Sequence, residues 1–390
     1  MCILEAEQLT STQISFINNK KNMKIGILTL PLHTNYGGIL QAYALQTVLE
    51  GMGHEVTIID EPIRKSKRPP MRTYVKRIVE KLQGKPSIIN FEKYDFDSYP
   101  IISKEINRFI EKYIHRTIVD SPNSLNESDF DVLVVGSDQV WRKKYYPDIK
   151  NAYFDFAKDW KNVKRVSYAP SFGTDSWEYS ESETNTCSSL IKIFDAISVR
   201  ELSGVTLCHE KFSVTASLVL DPTMLIPREH YEELALLNTK QSEGEILNYV
   251  LDKTPDMVNI VNCIAQEREL KTFSVNGKPL QPDYHPEKYI KPSIESWLRG
   301  FHDAQLVVTD SFHACVFSMI FNKPFVVVGN KTRGMARFES LLSMFGQEFR
   351  LIESYQEYFS KKEVLMARPN VQNIIDSKKT TSLQFLKEAL

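Results

Sequence analysis

The feature that most constrains the fold of this chain is a strand–helix–strand pattern near its start. Residues Lys24 to Leu30 form an apolar run, and a glycine turn at Gly37-Gly38 follows it. Apolar residues then recur at helical spacing, and Glu55 to Asp60 is a second β-rich run. This order forms a βαβ unit, which requires a parallel sheet. The chain is therefore predicted to begin with a doubly wound α/β domain.

The same pattern recurs through the first half of the chain. Short apolar runs at Asp131 to Val135, Val163 to Tyr168 and Ala196 to Val199 are predicted to be further strands. Each of them ends in a polar or glycine-containing loop, and α/β sheets bind their ligands at such carboxyl ends. Candidate site residues are therefore sought in these loops.

A break in the pattern indicates two domains. Leu220-Asp221-Pro222-Thr223 interrupts the alternation, and a second series begins with a strand at Glu245 to Leu251. Its further elements are a helix at Asp256 to Leu270 and strands at Lys271 to Val275, Leu306 to Thr309 and Phe325 to Val328. Two Rossmann-like doubly wound domains facing one another across a cleft are the simplest architecture. The predicted divisions are a poorly ordered extension at residues 1–22, an N-terminal domain at 23–222 and a C-terminal domain at 223–390.

Charge and cysteine usage narrow the class of protein. The 390 residues include 48 Lys and Arg against 49 Asp and Glu, so no global charge favours nucleic acid. The five cysteines are scattered, with no C-x-x-C pair and no Cys/His group at metal-ligand spacing. No apolar run approaches the roughly 20 residues of a membrane-spanning helix. We expect a cytoplasmic protein with reduced thiols, no bound metal and no nucleic-acid partner.

A basic, proline-flanked segment follows the second predicted strand. Residues 62–72 read PIRKSKRPPMR, with five cations from Arg64 to Arg72. The flanking prolines are expected to prevent a helix here, which predicts a basic loop. Either this segment is a solvated surface loop, or it contacts an anionic lipid-linked molecule at the inner face of a membrane.

The glycine turn after the first strand is a candidate anion site. Asn35, Tyr36, Gly37 and Gly38 lie where backbone N–H groups and the positive end of a helix dipole point at a ligand. A purely structural tight turn is one alternative. A dinucleotide site is another, because Asp60 ends the second strand, but G-G-x-x-Q lacks the G-x-G-x-x-G spacing.

The loop GSDQVW follows the strand Asp131 to Val135 directly. Asp138, Gln139 and Trp141 are therefore candidates to contact a substrate at the edge of the sheet. In the alternative, Asp138 caps the next helix and Trp141 packs into the core.

Arg200 stands where the strand Ala196 to Val199 ends. An arginine at this point can hold a carboxylate or a phosphate through two parallel hydrogen bonds. Its structural alternative is an ion pair with Glu201 or Asp195.

The segment TDSFHA, residues 309–314, is the most informative stretch for catalysis. Asp310 or Ser311 can cap the helix that begins here, which places His313 in its first turn. The positive end of a helix disfavours a protonated imidazole, so His313 is expected to be neutral and able to accept a proton. A histidine that is merely packed in a core helix is the alternative.

A cationic loop follows the strand Phe325 to Val328. It reads GNKTRGMAR and carries Lys331, Arg333 and Arg337. Its place at a strand end suits a phosphate, and solvated charge is the alternative.

Six segments taken together resemble the polysaccharide pyruvyltransferase family. In chain order they are NYGGILQAYALQ, VLVVGSDQVW, SYAPSFGT, ISVRE, LDPTMLI and TDSFHACVFSMIFNKPFV, and they span the chain from about Met23 to Val326. The resemblance implies two Rossmann-like domains similar to those of B-type glycosyltransferases. It also implies transfer of the pyruvyl group of phosphoenolpyruvate to a hydroxyl pair of a surface-polysaccharide sugar, with no cofactor and no metal.

The resemblance also implies roles for particular residues. Arg200, in ISVRE, and His313, in the D-S-x-H segment, match positions that the family uses in its active site. Many relatives have arginine two residues before this histidine, where this chain has Ser311. The anion contact is then expected from the cationic loop. The expected donor-binding residues are Arg200, Lys331, Arg333 and Arg337.

Ketal formation from an enol phosphate needs three chemical events that these residues can serve. A proton must reach the methylene carbon, a hydroxyl must be deprotonated for attack, and phosphate must leave. His313 suits the base, and Asp138 can be the acid only where burial keeps it protonated. The acceptor, a sugar or a lipid-linked oligosaccharide, is expected at Asn35, Tyr36, Gly37, Gly38, Gln139 and Trp141. A nucleotide-sugar glycosyltransferase and a non-catalytic carbohydrate-binding protein of the same fold are the alternatives.

Overall fold

The computed structural model describes residues 22–63, 68–329 and 334–390, which form two parallel β-sheets with helices packed on them. The predicted N-terminal extension lies outside the described residues except for Asn22. Also outside them are Arg64 to Lys67 of the basic segment, and Lys331 and Arg333 of the cationic loop.

Within the described part of the chain, the first sheet has seven parallel strands. They are β1 (Lys24–Leu28), β2 (Glu55–Asp60), β3 (Arg116–Ile118), β4 (Val132–Val135), β5 (Lys164–Ser167), β6 (Ala196–Val199) and β7 (Ser217–Leu218). The accompanying helices are α1 (Tyr36–Gly51), α2 (Met71–Leu82), α3 (Phe91–Ile102), α4 (Lys104–Tyr113), α5 (Glu181–Ile191) and α6 (Leu202–Leu207). The strand order is β3-β2-β1-β4-β5-β6-β7, so the chain starts inside the sheet and winds outward in both directions.

The first βαβ unit forms as the sequence pattern predicts. β1 pairs in parallel with β2, with Lys24 opposite Glu55, and with β4, with Ile25 opposite Val132. Strand β4 is buried along its whole length because helices and loops cover both faces of the sheet. This burial explains the continuous apolar runs by which these strands are recognised in the sequence.

The second sheet has five parallel strands among the described residues. They are β8 (Ile246–Tyr249), β9 (Thr272–Phe273), β10 (Leu306–Thr309), β11 (Phe325–Val328) and β12 (Leu351–Ile352), in the order β12-β11-β10-β8-β9. The helices are α7 (Arg228–Leu236), α8 (Pro255–Arg268), α9 (Ile294–Asp303), α10 (Phe312–Ile320), α11 (Ala336–Met344), α12 (Tyr355–Leu365) and α13 (Gln372–Ala389). This half is also doubly wound, because β9 is added on one side of the central strands β8 and β10, and β11 and β12 on the other, with helices between successive strands.

The last helix, α13, returns to the first sheet. The backbone N–H of Leu220 donates to the hydroxyl of Ser382 at 3.0 Å, and the rings of Tyr168 and Phe385 lie 6.3 Å apart. The ammonium of Lys164 donates to the carbonyl of the terminal residue at 2.8 Å. Helix α13 therefore joins the two halves of the molecule.

The basic segment ends in a helix that the sequence did not suggest. Helix α2 begins at Met71, directly after Pro70, although prolines were expected to keep the whole segment from Pro62 to Arg72 non-helical. Proline is tolerated at the start of a helix, because the first N–H groups have no intrahelical partner there. The prolines therefore mark the start of a helix.

The two sheets meet at their carboxyl ends, where loops of both halves line one cleft. Tyr36 at the start of α1 donates its hydroxyl to the carbonyl of Pro292 at 2.8 Å and stacks on Trp297 of α9. The predicted fold class, two Rossmann-like domains facing across a cleft, is confirmed. In the described part of the chain, no helix combines the length and the apolar character needed to cross a membrane.

Candidate active site

The cleft between the two halves has a volume of about 340 Å³. It receives loops that follow β1 and β4 in the first half, and β8 and β10 in the second. The residues of the sequence analysis that line it are Asn35, Gly37, Asp138, Gln139, Ser311, His313 and Arg337. The structure therefore brings together candidates from four separate segments of the sequence.

The first-domain wall of the cleft is built around Asp138. Its carboxylate accepts a hydrogen bond from the side-chain amide of Asn35, at 3.3 Å, and lies 3.5 Å from the guanidinium of Arg200. Asp138 has φ 68° and ψ −169°, a region that residues other than glycine rarely occupy. Backbone strain of this kind persists only where surrounding contacts enforce it, and it clusters at ligand sites.

His313 lies in the first turn of α10, as predicted. Ser311 occupies the N-cap position, but its side chain makes no capping bond. The carboxylate of Asp310 accepts from the backbone N–H groups of Leu251 and Asp252, at 2.7 and 2.9 Å. Asp310 therefore ties the loop after β10 to the loop after β8, and these two loops form one wall of the cleft.

The imidazole of His313 is held between Asp221 and Gly37. Its Nε2 lies 3.6 Å from Oδ2 of Asp221, which is longer than a formed hydrogen bond but within ion-pair distance. A Cβ placed on Gly37 would overlap the Nδ1 side of the ring. Glycine at this position therefore leaves the space that the imidazole occupies.

Asp221 is the buried anion of this group. Its Oδ2 accepts from Arg200 at 2.6 Å, and its Oδ1 accepts from the backbone N–H and the hydroxyl of Thr223. Burial alone would raise the pKa of Asp221, but contacts with His313, Arg200 and Thr223 hold it well below its ordinary value. An ionised carboxylate thus faces the imidazole.

Arg200 does not reach the cleft, so its expected contact with the donor is corrected. It is buried, and its guanidinium bridges Asp221 at 2.6 Å and Asp138 at 3.5 Å. Burial lowers the pKa of Arg200, but the carboxylates of Asp221 and Asp138 outweigh burial and raise it. The alternative prediction of an ion pair is confirmed, but the partners are Asp221 and Asp138, not the predicted Glu201 or Asp195.

Arg337 is the described cation of the cationic loop, and it does line the cleft. It stands in the first turn of α11 and is largely buried. Burial and the nearby Arg200 lower the pKa of Arg337 to about 10, against the opposing effect of Asp138 and Glu201. The ring of Phe312 lies close to both guanidinium groups, 4.2 Å from Arg200 and 5.7 Å from Arg337. Both cations therefore lie within cation–π distance of one aromatic ring.

Three expected acceptor contacts are corrected, because Tyr36, Gly38 and Trp141 do not line the cleft. Trp141 is fully buried and donates its indole N–H to the carbonyl of Ala152 at 3.0 Å. Tyr36 is occupied in the contact with Pro292 across the two halves. Gly38 packs against the side chain of Asn35, so all three shape the wall without facing a ligand.

The main residue that sequence reasoning missed is Asp221, whose segment served only to mark a domain boundary. An aspartate between Leu220 and Pro222 has apolar neighbours on both sides, which predicts burial. A buried carboxylate needs a cationic partner, so this signal pointed to an arginine near it. Tyr249, at the end of β8, and Trp297, on α9, also line the cleft, but their apolar surroundings gave no signal beyond core packing.

Comparisons with known proteins agree with this architecture. A sequence model of the family described as polysaccharide pyruvyl transferase matches residues 35–332. No curated protein matches the chain. Among solved structures, the S. aureus MnaA–UDP co-structure has a TM-score of 0.50 and 11% identity over 94% of this chain and 98% of that chain. A putative UDP-N-acetylglucosamine 2-epimerase from Listeria monocytogenes has a TM-score of 0.50 and 12% identity, over 91% of each chain.

These structural similarities are at low identity and concern the fold alone, which consists of two facing α/β domains. The family match covers the loops that carry Asn35, Asp138, Asp221 and His313. The chain therefore belongs to the polysaccharide pyruvyl transferase family, whose members are transferases that act in polysaccharide pyruvylation.

Proposed function

We propose that this chain transfers the pyruvyl group of phosphoenolpyruvate to two hydroxyls of a sugar, in a polysaccharide or its lipid-linked precursor. The product is a cyclic ketal, and phosphate is released. The observation that carries the proposal is the setting of His313, whose ring lies in the cleft between a buried carboxylate and Gly37, with Arg337 in the same cleft.

His313 is the proposed general base. The ionised Asp221 lies beside Nε2, so it stabilises the imidazolium that forms when the ring takes the proton of an acceptor hydroxyl. Arg200 keeps Asp221 in place through its 2.6 Å contact, so it supports the base from behind.

Arg337 is the proposed donor-binding cation among the described residues. Phosphoenolpyruvate carries a carboxylate and a phosphate, and a buried guanidinium binds either through two parallel hydrogen bonds. Its pKa, lowered to about 10, reflects the cost of keeping the charge buried, and a bound anion would offset that cost. Ser311 and Phe312 line the cleft at the start of α10, so the positive end of this helix also faces the donor. Lys331 and Arg333 lie outside the described residues and stay predicted donor-binding residues.

The proposed reaction balances as follows. A proton from solvent water adds to the methylene carbon of phosphoenolpyruvate, and the hydroxyl oxygen, whose proton passes to His313, bonds to the adjacent carbon. The C–O bond to phosphate then breaks, and phosphate leaves with the electron pair of that bond. A second hydroxyl of the same sugar bonds to the same carbon, loses its proton and closes the ketal ring.

Asp138 is proposed to orient its neighbours, which changes the role suggested by sequence alone. One carboxylate oxygen accepts from Asn35, and the other lies 3.5 Å from Arg200. A general acid needs one of these oxygens to carry a proton, whereas both serve here as acceptors. Asp138 therefore positions Asn35, which together with Gln139 is proposed to face the acceptor sugar.

A thermal-shift experiment separates this function from its rivals. We expect stabilisation by phosphoenolpyruvate, of about 2.7 kcal/mol at 100 times its Kd, and none by NAD or UDP-N-acetylglucosamine. Arg337→Gln should abolish this shift, while the matched control Arg368→Gln, at an exposed arginine, should keep it. Stabilisation by UDP-N-acetylglucosamine alone would instead indicate an enzyme that uses nucleotide sugars.

Release of phosphate separates an enzyme from a non-catalytic binding protein. We expect phosphate to appear when phosphoenolpyruvate is mixed with a panel of bacterial surface oligosaccharides, and a ketal methyl group to appear on one of them by NMR. Stabilisation by phosphoenolpyruvate or by a sugar without any phosphate release across that panel would favour the non-catalytic alternative.

A further inference from the structure

Helix α2 carries an apolar stripe that faces solvent. Met71, Val75, Ile78, Val79 and Leu82 are all exposed, with accessible fractions of 76% for Met71 and 83% for Leu82. At 3.6 residues per turn, these positions fall within an arc of about 100° on one side of the helix. No residue of α2 is buried. Helices of folded domains normally turn such a stripe inward, so this one is suited to contact something outside the chain.

Polar contacts on the opposite side hold α2 in this orientation. Arg77 forms a bidentate ion pair with Glu92 of α3, at 2.6 and 2.9 Å, and donates to the carbonyl of Ile89. Its guanidinium also lies over the ring of Phe91. Turning the apolar stripe toward the domain would break all of these contacts. The exposure of the stripe is therefore built into the fold.

The stripe is bordered by cations. Residues 68–85 contain six Lys and Arg and one Glu, a net charge of +5 in a chain whose net charge is −1. Arg72, Lys76 and Lys81 flank the stripe and are exposed. An apolar stripe with a basic border is typical of a helix that lies in the interface of an anionic bilayer. The local charge therefore favours a lipid surface over a neutral or basic protein partner.

Helix α3, which holds α2 through the ion pair of Arg77 with Glu92, also contacts the loop that enters the cleft. In the same loop, His33 lines the cleft and stacks on Tyr99 of α3 at 4.1 Å. A surface that binds α2 would therefore lie close to the entrance of the site.

We propose that the exposed face of α2, formed by its apolar stripe and the flanking cations, docks this protein on an anionic phospholipid membrane. The docking does not depend on the chemistry in the cleft. Combined with the proposed function, it places the cleft where a lipid-linked acceptor can reach it from the bilayer.

Binding to vesicles tests the proposal with matched variants. We expect the protein to co-sediment with vesicles of phosphatidylcholine containing one third phosphatidylglycerol, and at least tenfold more weakly with phosphatidylcholine alone or at high salt. Val75→Asp should weaken binding by on the order of tenfold, because it removes an apolar contact and adds a negative charge. Lys76→Glu should weaken it by a similar factor.

The controls lie on remote exposed positions. Val364→Asp, on α12, changes a valine that is 52% exposed, close to the 54% of Val75, and Lys240→Glu reverses an exposed charge elsewhere. Both should bind vesicles like the unchanged protein, and all four variants should keep its melting temperature. Equal loss in α2 and control variants, or equal binding to neutral vesicles, would overturn the proposal. Absence of vesicle binding combined with self-association that Val75→Asp abolishes would also overturn it, and would assign the face to contact between copies.

Discussion

Substitution of Gly37 by alanine tests the proposed base without removing any functional group. Gly37 is in the first turn of α1, and its missing side chain is what allows the imidazole of His313 to lie against the helix. An added methyl group would force the ring to retreat by about 1 Å to reach van der Waals distance. The ring has little room to do so, because Asp221 lies on its other side and is itself held by Arg200.

The expected magnitudes separate an effect on catalysis from an effect on folding. A displacement of about 1 Å in a catalytic group costs about 100-fold in turnover, within the range for loss of a general base. Overpacking costs about 1 to 3 kcal/mol of unfolding free energy, of which the better helix propensity of alanine offsets up to about 1 kcal/mol. Gly37→Ala should therefore fold, with a modest loss of stability and a large loss of turnover. Gly51→Ala, at the open end of the same helix, should leave turnover unchanged.

A double-mutant cycle shows whether Gly37 acts through His313. His313→Ala alone should lower turnover by on the order of 10²- to 10⁴-fold. Adding Gly37→Ala to His313→Ala should cost little more, since the imidazole that the methyl group would strike is gone. Turnover is measured as phosphate release per folded molecule, and stability by thermal unfolding of the same preparations. Normal turnover in Gly37→Ala, or losses that simply add in the double variant, would refute the reasoning.

Three further predictions concern Arg200, His230 and the need for a metal ion. Arg200→Lys should lower the unfolding free energy by on the order of 3 kcal/mol and reduce kcat, because an ammonium cannot bridge Asp221 and Asp138. The KM for phosphoenolpyruvate should change little. A raised KM with normal stability would return Arg200 to the donor site. Burial lowers the pKa of His230, whose ring is 2.6 Å from the hydroxyl of Tyr43. The unfolded chain then takes up a proton more readily than the folded protein, so stability from this group is present above about pH 6.5 and falls at lower pH. The melting temperature of the unchanged protein should therefore fall more steeply between about pH 7.5 and about pH 5.5 than that of His230→Gln. Equal pH dependence of the two melting temperatures would contradict this assignment. Activity should survive removal of metal ions by EDTA, because no three potential ligands among His, Cys, Asp and Glu cluster in the described residues; a loss that Mg²⁺ restores would reveal a site.

The fold was largely predictable because its strands are short, buried and separated by turn residues. Strands β2, β6, β10 and β11 have the predicted bounds, and five others, β1, β4, β5, β8 and β9, are shorter than predicted by one or a few residues. Strands β3, β7 and β12 were not predicted. Helices α2 to α4 were not predicted. Helix α2 buries no residue, so no core-facing pattern sets it apart from a charged loop. Sequence periodicity therefore predicts helices and strands that pack on the core. It gives only a weak signal for helices that bury no side chain.

The location of the site was also predictable, but the direction of its side chains was not. Parallel strands place their carboxyl ends at one edge of each sheet, and the two domains were expected to face each other across a cleft. Asn35, Asp138 and His313 were therefore expected near that cleft, and they do line it. Whether a side chain turns toward the cleft or the core depends on partners far away in sequence. Tyr36 turns away because Pro292, of the other domain, supplies an acceptor for its hydroxyl.

Arg200 shows which long-range partner decides such a direction. It directly follows β6, and β7 lies beside β6 in the sheet with Val199 opposite Leu218. The residues that follow these two strands are therefore neighbours, which brings Arg200 to Asp221. A guanidinium next to a buried carboxylate gains more from that ion pair than from facing an open cleft, since leaving either charge buried and unpaired costs several kcal/mol. Arg337, which lines the cleft from the first turn of α11, is the proposed ligand-binding arginine. In parallel sheets, an arginine that follows one strand can meet an acidic residue that follows the neighbouring strand. Where the sequence offers such a pair, the arginine is better assigned to an ion pair that supports the site, and the ligand-binding cation is sought on another element.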